Sequence, residues 1–117
     1  MSKDALHELR DRLRSFAEER DWGQFHTPKN LAMALAGEAG EVIEHFQWLS
    51  AEQSATLDDT TREEVALELA DVLLYLVRLA DVLEVDLAEA ARRKLAINAG
   101  RYPAEKARGR ADKYHRL

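Results

Sequence analysis

The sequence contains no cysteine, only two prolines and only five glycines among its 117 residues. Without cysteine, the chain has no disulfide framework, no zinc–thiolate or iron–sulfur site and no cysteine nucleophile. The missing thiols favour a reducing compartment. The first residues also lack the apolar stretch of an export signal, so we expect a cytoplasmic location. Scarce proline and glycine, with few alternating β-branched runs, favour helices throughout.

A long uninterrupted apolar run is also missing. The most apolar segment, residues 65–83, is interrupted by Glu68, Asp71, Arg78 and Asp81, which are too many charges for a membrane span. The net charge of −5 argues against a nucleic acid polymer as partner, because such binding needs a basic face. With 46% hydrophobic and 33% charged residues, the composition is that of a soluble globular protein without a membrane partner.

Apolar residues at helical spacing and capping residues predict four helices. Thr27 and Pro28 are a typical N-cap and first helical residue. Thr60 or Thr61 could form a capping box with a glutamate three residues later, at the start of a helix that is apolar nearly all round. The four helices span about residues 2–20, 27–48, 60–83 and 86–100, and residues 50–60 form a polar connection.

Amphipathic helices joined by short connections predict an all-α, four-helix bundle. The third helix is expected at its centre or at a dimer interface, because one neighbour cannot cover an apolar circumference. We expect a single helical domain over residues 1–100. Residues 101–117 carry six basic and two acidic side chains and form a basic C-terminal tail.

Two of these helices carry carboxylates three residues apart, Glu38 with Glu41 and Glu68 with Asp71. This spacing places both members of a pair on one side of a helix, with Cβ atoms about 5–6 Å apart. Two facing pairs would gather four carboxylates, and their repulsion and desolvation require a neutralising cation. Ligation by oxygen alone selects Mg²⁺ or Mn²⁺.

Gly37 and Gly40 flank Glu38 inside the second helix, where each glycine costs about 1 kcal/mol relative to alanine. We therefore expect a helix or a ligand to approach the backbone there, or the helix to deform at these residues. The alternative is a small-residue helix crossing with surface glutamates. His45, four residues after Glu41, could reach the same face, although a lone histidine is more often structural. Neither carboxylate pair has the Glu-x-x-His spacing of di-iron bundles.

The segment Glu38-Ala39-Gly40-Glu41, followed later by Glu68-Leu69-Ala70-Asp71, resembles the signature of the MazG-like, all-α nucleoside triphosphate pyrophosphohydrolases. Further segments are similar to the dCTP pyrophosphatase branch of that family, so the resemblance covers nearly the whole chain. These segments are residues 19–26, 28–31, 46–48 and 101–103.

The resemblance implies hydrolysis between the α and β phosphates of dCTP or a modified deoxycytidine triphosphate, giving a monophosphate and pyrophosphate. It implies that Glu38, Glu41, Glu68 and Asp71 bind Mg²⁺, with Mn²⁺ as a possible substitute. Glu41 is the expected base for the attacking water and Glu38 the second catalytic carboxylate, with Glu44 as an alternative base. Phosphoryl transfer needs mainly positioning and charge neutralisation, in agreement with such a site.

The same resemblance implies a pocket for the nucleotide and a homo-oligomer, either a dimer or a tetramer. Two tryptophans at helix ends fit a stacking clamp, or else they anchor the core. Two alternatives stay open: the same chemistry on dUTP or another noncanonical nucleotide, and a non-enzymatic helical interaction module with surface carboxylates. The expected substrate-binding residues are Trp22, Phe25, His26, Trp48, Tyr75, Lys94, Asn98 and Arg101.

Overall fold

The computed structural model describes residues 4–117, and every regular element in that range is helical. The all-α prediction is therefore confirmed. None of these helices combines the length and the hydrophobicity that a bilayer crossing requires. The elements are α1 (Ala5–Glu19), α2 (Pro28–Glu44), α3 (Ala51–Ser54), α4 (Asp59–Val82), α5 (Leu87–Arg101), α6 (Ala104–Ala107) and a 3₁₀ turn (Tyr114–Arg116).

Two predicted helix starts are confirmed by their caps. The Thr27 hydroxyl accepts a hydrogen bond from the Asn30 amide at 3.2 Å, and Pro28 occupies the first turn of α2. The Asp86 carboxylate accepts from the Glu89 amide at 3.1 Å and opens α5. Each cap satisfies an amide that has no partner within its helix.

The start predicted for the third helix is wrong by about one residue. Asp58, not a threonine, is the cap, because its carboxylate accepts from the Thr61 amide at 2.7 Å and a negative charge suits a helix N-terminus. The capping box occurs instead within the predicted connection, where Ser50 and Gln53 bond reciprocally at the start of α3. Segment 50–60 therefore contains one helical turn.

The end of the second helix also differs from the prediction. α2 ends at Glu44, and residues 45–48 continue as turns with bonds such as Phe46 N–H to Ile43 C=O at 2.9 Å. Asp4 caps α1 through the His7 amide, so α1 begins at Ala5. The predicted start at Ser2 lies outside the described residues.

The first compact unit of the chain ends at Val85, and α4 is its central helix. α4 packs against both α2 and α1, as its apolar circumference predicted. The buried apolar side chains of this unit lie on these three helices. They are Ala17, Leu31, Val65, Val77 and Ala80.

Residues Asp86–Leu117 form a second compact unit. In it the Arg101 guanidinium lies over the Tyr114 ring at 4.6 Å, and the Tyr102 and Tyr114 rings meet edge to face at 6.1 Å. Such contacts tie the basic C-terminal segment to the end of α5. The division into residues 1–100 and 101–117 stays a prediction.

Candidate functional site

The packing of α2 against α4 gathers three of the four expected carboxylates. Glu38 and Glu41 lie one turn apart on α2, and Glu68 lies on α4. One carboxylate oxygen of each lies within 4.8 Å of the other two. The spacing of three places Glu38 and Glu41 together on α2. The α2–α4 contact brings Glu68 to them, although it lies 30 and 27 positions later in the sequence.

Two oxygens of this cluster are buried without a hydrogen-bond partner, Oε2 of Glu38 and Oε2 of Glu68. Burial raises the pKa of Glu38, and the charges of Glu41, Asp71 and Glu68 add to the effect. Hydrogen bonding with Glu41, together with burial, raises the pKa of Glu68. Both carboxyl groups therefore hold their negative charge less readily than an exposed glutamate.

This arrangement fits a hard divalent cation. A buried carboxylate oxygen without a donor is costly, and several clustered carboxylates cannot all be ionised cheaply without a positive charge between them. Three glutamate oxygens are the donor set that Mg²⁺ or Mn²⁺ prefers. Glu41 is the exposed member of the trio, whereas Glu38 and Glu68 are half-buried, so the cluster is open on one side.

Asp71 lies beside the trio and not within it. Its charge contributes to the raised pKa of Glu38 and of Glu68, which places it close to both. The same residue lines a cavity of about 170 Å³ between α1 and α4. Asp71 therefore connects the carboxylate cluster with this cavity.

The cavity contains three of the aromatic or imidazole side chains expected at a nucleotide site: Trp22, His26 and Tyr75. The Trp22 ring meets the Phe16 ring edge to face at 5.6 Å and the His26 ring at 6.2 Å. Trp22 follows α1, and Tyr75 lies one turn beyond Asp71 on α4. The full lining is Leu13, Phe16, Ala17, Trp22, His26, Asp71, Leu74, Tyr75 and Arg78.

Phe25 and Trp48 do not line this cavity. Phe25 is 59% exposed, and its carbonyl accepts a hydrogen bond from the Asn30 side chain at 3.0 Å. Trp48 is 86% exposed in the turns after α2. Neither ring is packed as a core anchor, so both remain available for contact with a ligand or another chain.

The other three expected binding residues lie on α5, in the second unit. Lys94 and Asn98 are four residues apart on this helix and share a face. Lys94 is exposed and Asn98 is half-buried. Arg101 is the last residue of α5 and stacks on Tyr114.

The expected close approach at the helix glycines is not made within residues 4–117. A Cβ atom added at Gly37 or Gly40 would meet no atom within 4 Å. No helix of the described residues therefore approaches α2 at these glycines, and the approach of a ligand stays a prediction.

Sequence reasoning missed a charged network on the cavity wall. Arg78 donates from Nε to Nδ1 of His26 at 3.0 Å, and its NH1 lies 3.3 Å from Oδ2 of Asp81. Arg14 of α1 also donates to Asp81, at 3.1 and 2.5 Å. The available signal was the spacing of Arg78 and Asp81, which are three residues apart on a mostly apolar helix and therefore lie on one face. Charged side chains on such a face are rarely buried unless they are paired.

Comparison with known proteins gives one matching family and several close relatives. The family model described as MazG-like matches residues 34–117. The chain is 46% identical to dCTP pyrophosphatase 1 of Bos taurus and 47% identical to that of Homo sapiens, over 97% and 96% of its length. It spans 68% and 67% of these two relatives.

A solved structure agrees with these matches. The crystal structure of a pyrophosphatase from Archaeoglobus fulgidus superposes with a TM-score of 0.82 at 40% sequence identity. The match covers 88% of the present chain and 96% of the archaeal one.

Proposed function

The chain belongs to the MazG-like family, and from this premise we propose that it is a dCTP pyrophosphohydrolase. It cleaves the bond between the α and β phosphates of dCTP, or of a modified deoxycytidine triphosphate, and releases the monophosphate and pyrophosphate. The observation that carries the proposal is the carboxylate cluster Glu38–Glu41–Glu68, joined through Asp71 to an aromatic cavity.

Within this proposal, the four carboxylates hold Mg²⁺, with Mn²⁺ as a substitute. The bound cation supplies the positive charge that offsets the triphosphate oxygens. The buried oxygens of Glu38 and Glu68 support this assignment, because they have no other partner. Asp71 completes the set from the cavity side.

Glu41 is the base that takes the proton of the attacking water. Its exposed carboxylate is accessible to solvent, whereas those of Glu38 and Glu68 are half-buried. A base must lie within hydrogen-bond reach of the proton that it removes. Glu44, one turn later and exposed, is the alternative on the same helix.

The base of the nucleotide occupies the cavity between α1 and α4. Trp22 and Tyr75 offer ring surfaces for contact with a pyrimidine, and His26 offers a polar group. Phe25 and Trp48 contribute from their exposed positions. Lys94, Asn98 and Arg101 on α5 stay predicted substrate-binding residues. Asp71 at the edge of the cavity sets the direction in which the phosphates extend, toward the cluster.

A homo-oligomer, dimer or tetramer, is part of the proposal. Leu69 and Leu73 are 52% and 37% exposed on one face of α4, next to the exposed Ala66 and Ala70. A contiguous apolar strip on the central helix of a unit is typical of a subunit interface. A cytoplasmic location stays a prediction.

Product analysis tests the proposed reaction. The purified protein is incubated with dCTP, dUTP, dTTP and dATP in parallel, with Mg²⁺ or with EDTA, and the products are separated by anion exchange. We expect dCMP and pyrophosphate, fastest from dCTP, and no turnover in EDTA. Orthophosphate in place of pyrophosphate would contradict the proposed cleavage site. Fastest turnover of dUTP would show that dUTP, and not dCTP, is the preferred substrate.

Matched glutamine variants test the residues. Glu38→Gln and Glu68→Gln are each expected to lower kcat/KM by at least about 100-fold, because even the loss of an outer-shell partner of a metal ligand costs about 10–100-fold. Glu64→Gln, at an exposed glutamate one turn before Glu68, is the control and should keep the parent rate. Because Glu41 is also a proposed metal ligand, Glu44→Gln decides between the two bases: a parent-like rate leaves Glu41 as the base, and a large loss assigns the role to Glu44. Full activity in Glu38→Gln would remove the cluster from the mechanism.

A further inference from the structure

The cavity wall contains a chain of three ion-paired side chains that ends on a histidine. Asp81 is 11% exposed and holds two arginines, Arg14 from α1 and Arg78 from its own helix. Arg78 is 13% exposed, and its Nε donates to Nδ1 of His26 at 3.0 Å. The proposed function gives His26 a role in the base pocket but assigns none to Arg78, Asp81 or Arg14.

The chemistry of the two partners fixes the direction of that hydrogen bond. A guanidinium group stays protonated in proteins and has donors only. His26 Nδ1 must therefore be the acceptor and carry no proton. A neutral imidazole has one proton, which then resides on Nε2.

The surroundings keep His26 neutral. Burial lowers the pKa of His26, and the positive charge of Arg78 lowers it further. An imidazolium would also direct its Nδ1–H against the Nε–H of Arg78. Asp81 in turn holds Arg78 in place through its 3.3 Å contact, while Arg14 shares the carboxylate.

We propose that Arg78 is a positioning residue that fixes His26 as the Nε2–H tautomer, so that the imidazole offers the base in the cavity a donor and no acceptor. The ligand half of this inference rests on the proposed function. The Nε2–H of His26 can bond only to a base whose nearest ring atom is a hydrogen-bond acceptor. Cytosine accepts at N3, whereas uracil donates there. The network therefore makes Arg78, acting through His26, a determinant of selection between cytosine and uracil nucleotides.

The tautomer is measured first, on the protein without nucleotide. Long-range ¹H–¹⁵N correlation spectra of the imidazole rings report which nitrogen carries the proton, and a His26→Gln spectrum identifies the His26 signals among those of the four histidines. We expect a protonated Nε2 and an unprotonated Nδ1. A protonated Nδ1 in the parent protein would overturn the proposal, whether or not any variant folds.

Arg78→Ala then tests the source of the tautomer. We expect a mixture of the two tautomers, because nothing then fixes Nδ1 as an acceptor. Asp81→Asn should shift the spectrum in the same direction and less far, since it loosens the hold on Arg78. Arg62→Ala is the matched control on the same helix, at an exposed arginine paired only loosely with Asp59 at 3.7 Å, and should keep the parent spectrum. A parent-like spectrum in Arg78→Ala would overturn the proposal.

Kinetics test the ligand half. In Arg78→Ala the ratio of kcat/KM for dCTP to that for dUTP should fall by about three- to tenfold, the worth of one hydrogen bond. The change should lie in KM, with kcat for dCTP within about a factor of two. An unchanged ratio in a variant with a shifted tautomer would overturn the role in selection. If the parent hydrolyses no nucleotide, the proposed function fails, while the spectra still decide the link between Arg78 and His26.

Discussion

Glu38 combines burial, a partnerless oxygen and three neighbouring carboxylates, so its charge opposes folding when no cation is present. The folded-state pKa is raised from the ordinary value of 4.5. A raised pKa means that the folded chain binds this proton more tightly than the unfolded chain does. The resulting stabilisation is complete below about pH 4.5 and is lost as the pH rises through the folded-state pKa.

Glu38→Gln should therefore melt at a higher temperature than the parent protein in EDTA at about pH 7, by a few degrees. The difference should narrow as the pH is lowered toward 4.5, where the parent glutamate takes up its proton. With saturating Mg²⁺ the order should reverse, because a ligand stabilises only the state that binds it. Differential scanning calorimetry measures both effects. Glu64→Gln is the control, and a lower Tm for Glu38→Gln in EDTA would contradict the argument.

At the residue scale, the sequence predicted the grouping of the carboxylates on α2 better than the contacts of the side chains around the cavity. The spacing of Glu38 and Glu41 is a local property of one helix, so their shared face could be read from the sequence. The Arg78–His26 bond joins residues 52 positions apart, and it depends on how the loop after α1 folds back onto α4. No spacing rule predicts such a contact. The exposure of Trp48 is likewise a result of packing. The residue type does not predict it, because tryptophan is often buried in protein cores.

At the scale of the element, α4 is the helix on which the site depends, since it carries Glu68, Asp71, Tyr75 and Arg78 in successive turns. Its apolar circumference predicted its central position correctly. Its first residue was harder to predict because several capping residues follow one another, from Asp58 to Thr61. Asp58 is the residue that caps the helix, because its ionised carboxylate is the strongest acceptor among them at a helix N-terminus.

Asp58→Ala should lower the Tm by a few degrees at about pH 7, because the Thr61 amide loses its acceptor. The hydrogen bond from the Thr61 backbone lowers the pKa of Asp58 below its ordinary value of 3.8. A lowered pKa gives stability that is complete above that ordinary value and is lost as the pH falls through the folded-state pKa. The gap between variant and parent should therefore close below pH 3.8.

Thermal unfolding followed by circular dichroism at neutral and acidic pH measures this gap in Tm. Asp59→Ala is the matched control, because Asp59 is the next residue and its side chain is fully exposed. It should change stability less than Asp58→Ala does. Equal losses in the two variants would mean that general charge at the helix start, and not the cap, supports α4.

At the scale of the whole molecule, single-chain packing leaves part of the sequence pattern unexplained. Leu69 on α4 and Ile43 on α2 are 52% and 59% exposed, although both are apolar residues of helices that were predicted from their apolar residues. Gly37 and Gly40 likewise face open space. The periodicity predicted which apolar residues are expected to be buried. It could not predict whether the same chain or a second copy buries them. The proposed subunit contact would account for the exposed Leu69 and Ile43 and for the glycines at once.

If the proposed homo-oligomer forms through the strip on α4, Leu69→Glu should convert it to a monomer. Burying one leucine contributes roughly 1.5–3 kcal/mol, and a symmetric interface loses that contribution in both copies while gaining two apposed charges. Leu67→Glu is the control, because Leu67 is 61% exposed but lies on the opposite side of α4, two residues away. Light scattering at micromolar concentration should give a multiple of 13.3 kDa for the parent and for Leu67→Glu, and 13.3 kDa for Leu69→Glu. A monomeric parent would leave the strip on α4 exposed in solution and would require the nucleotide site to be complete within one chain.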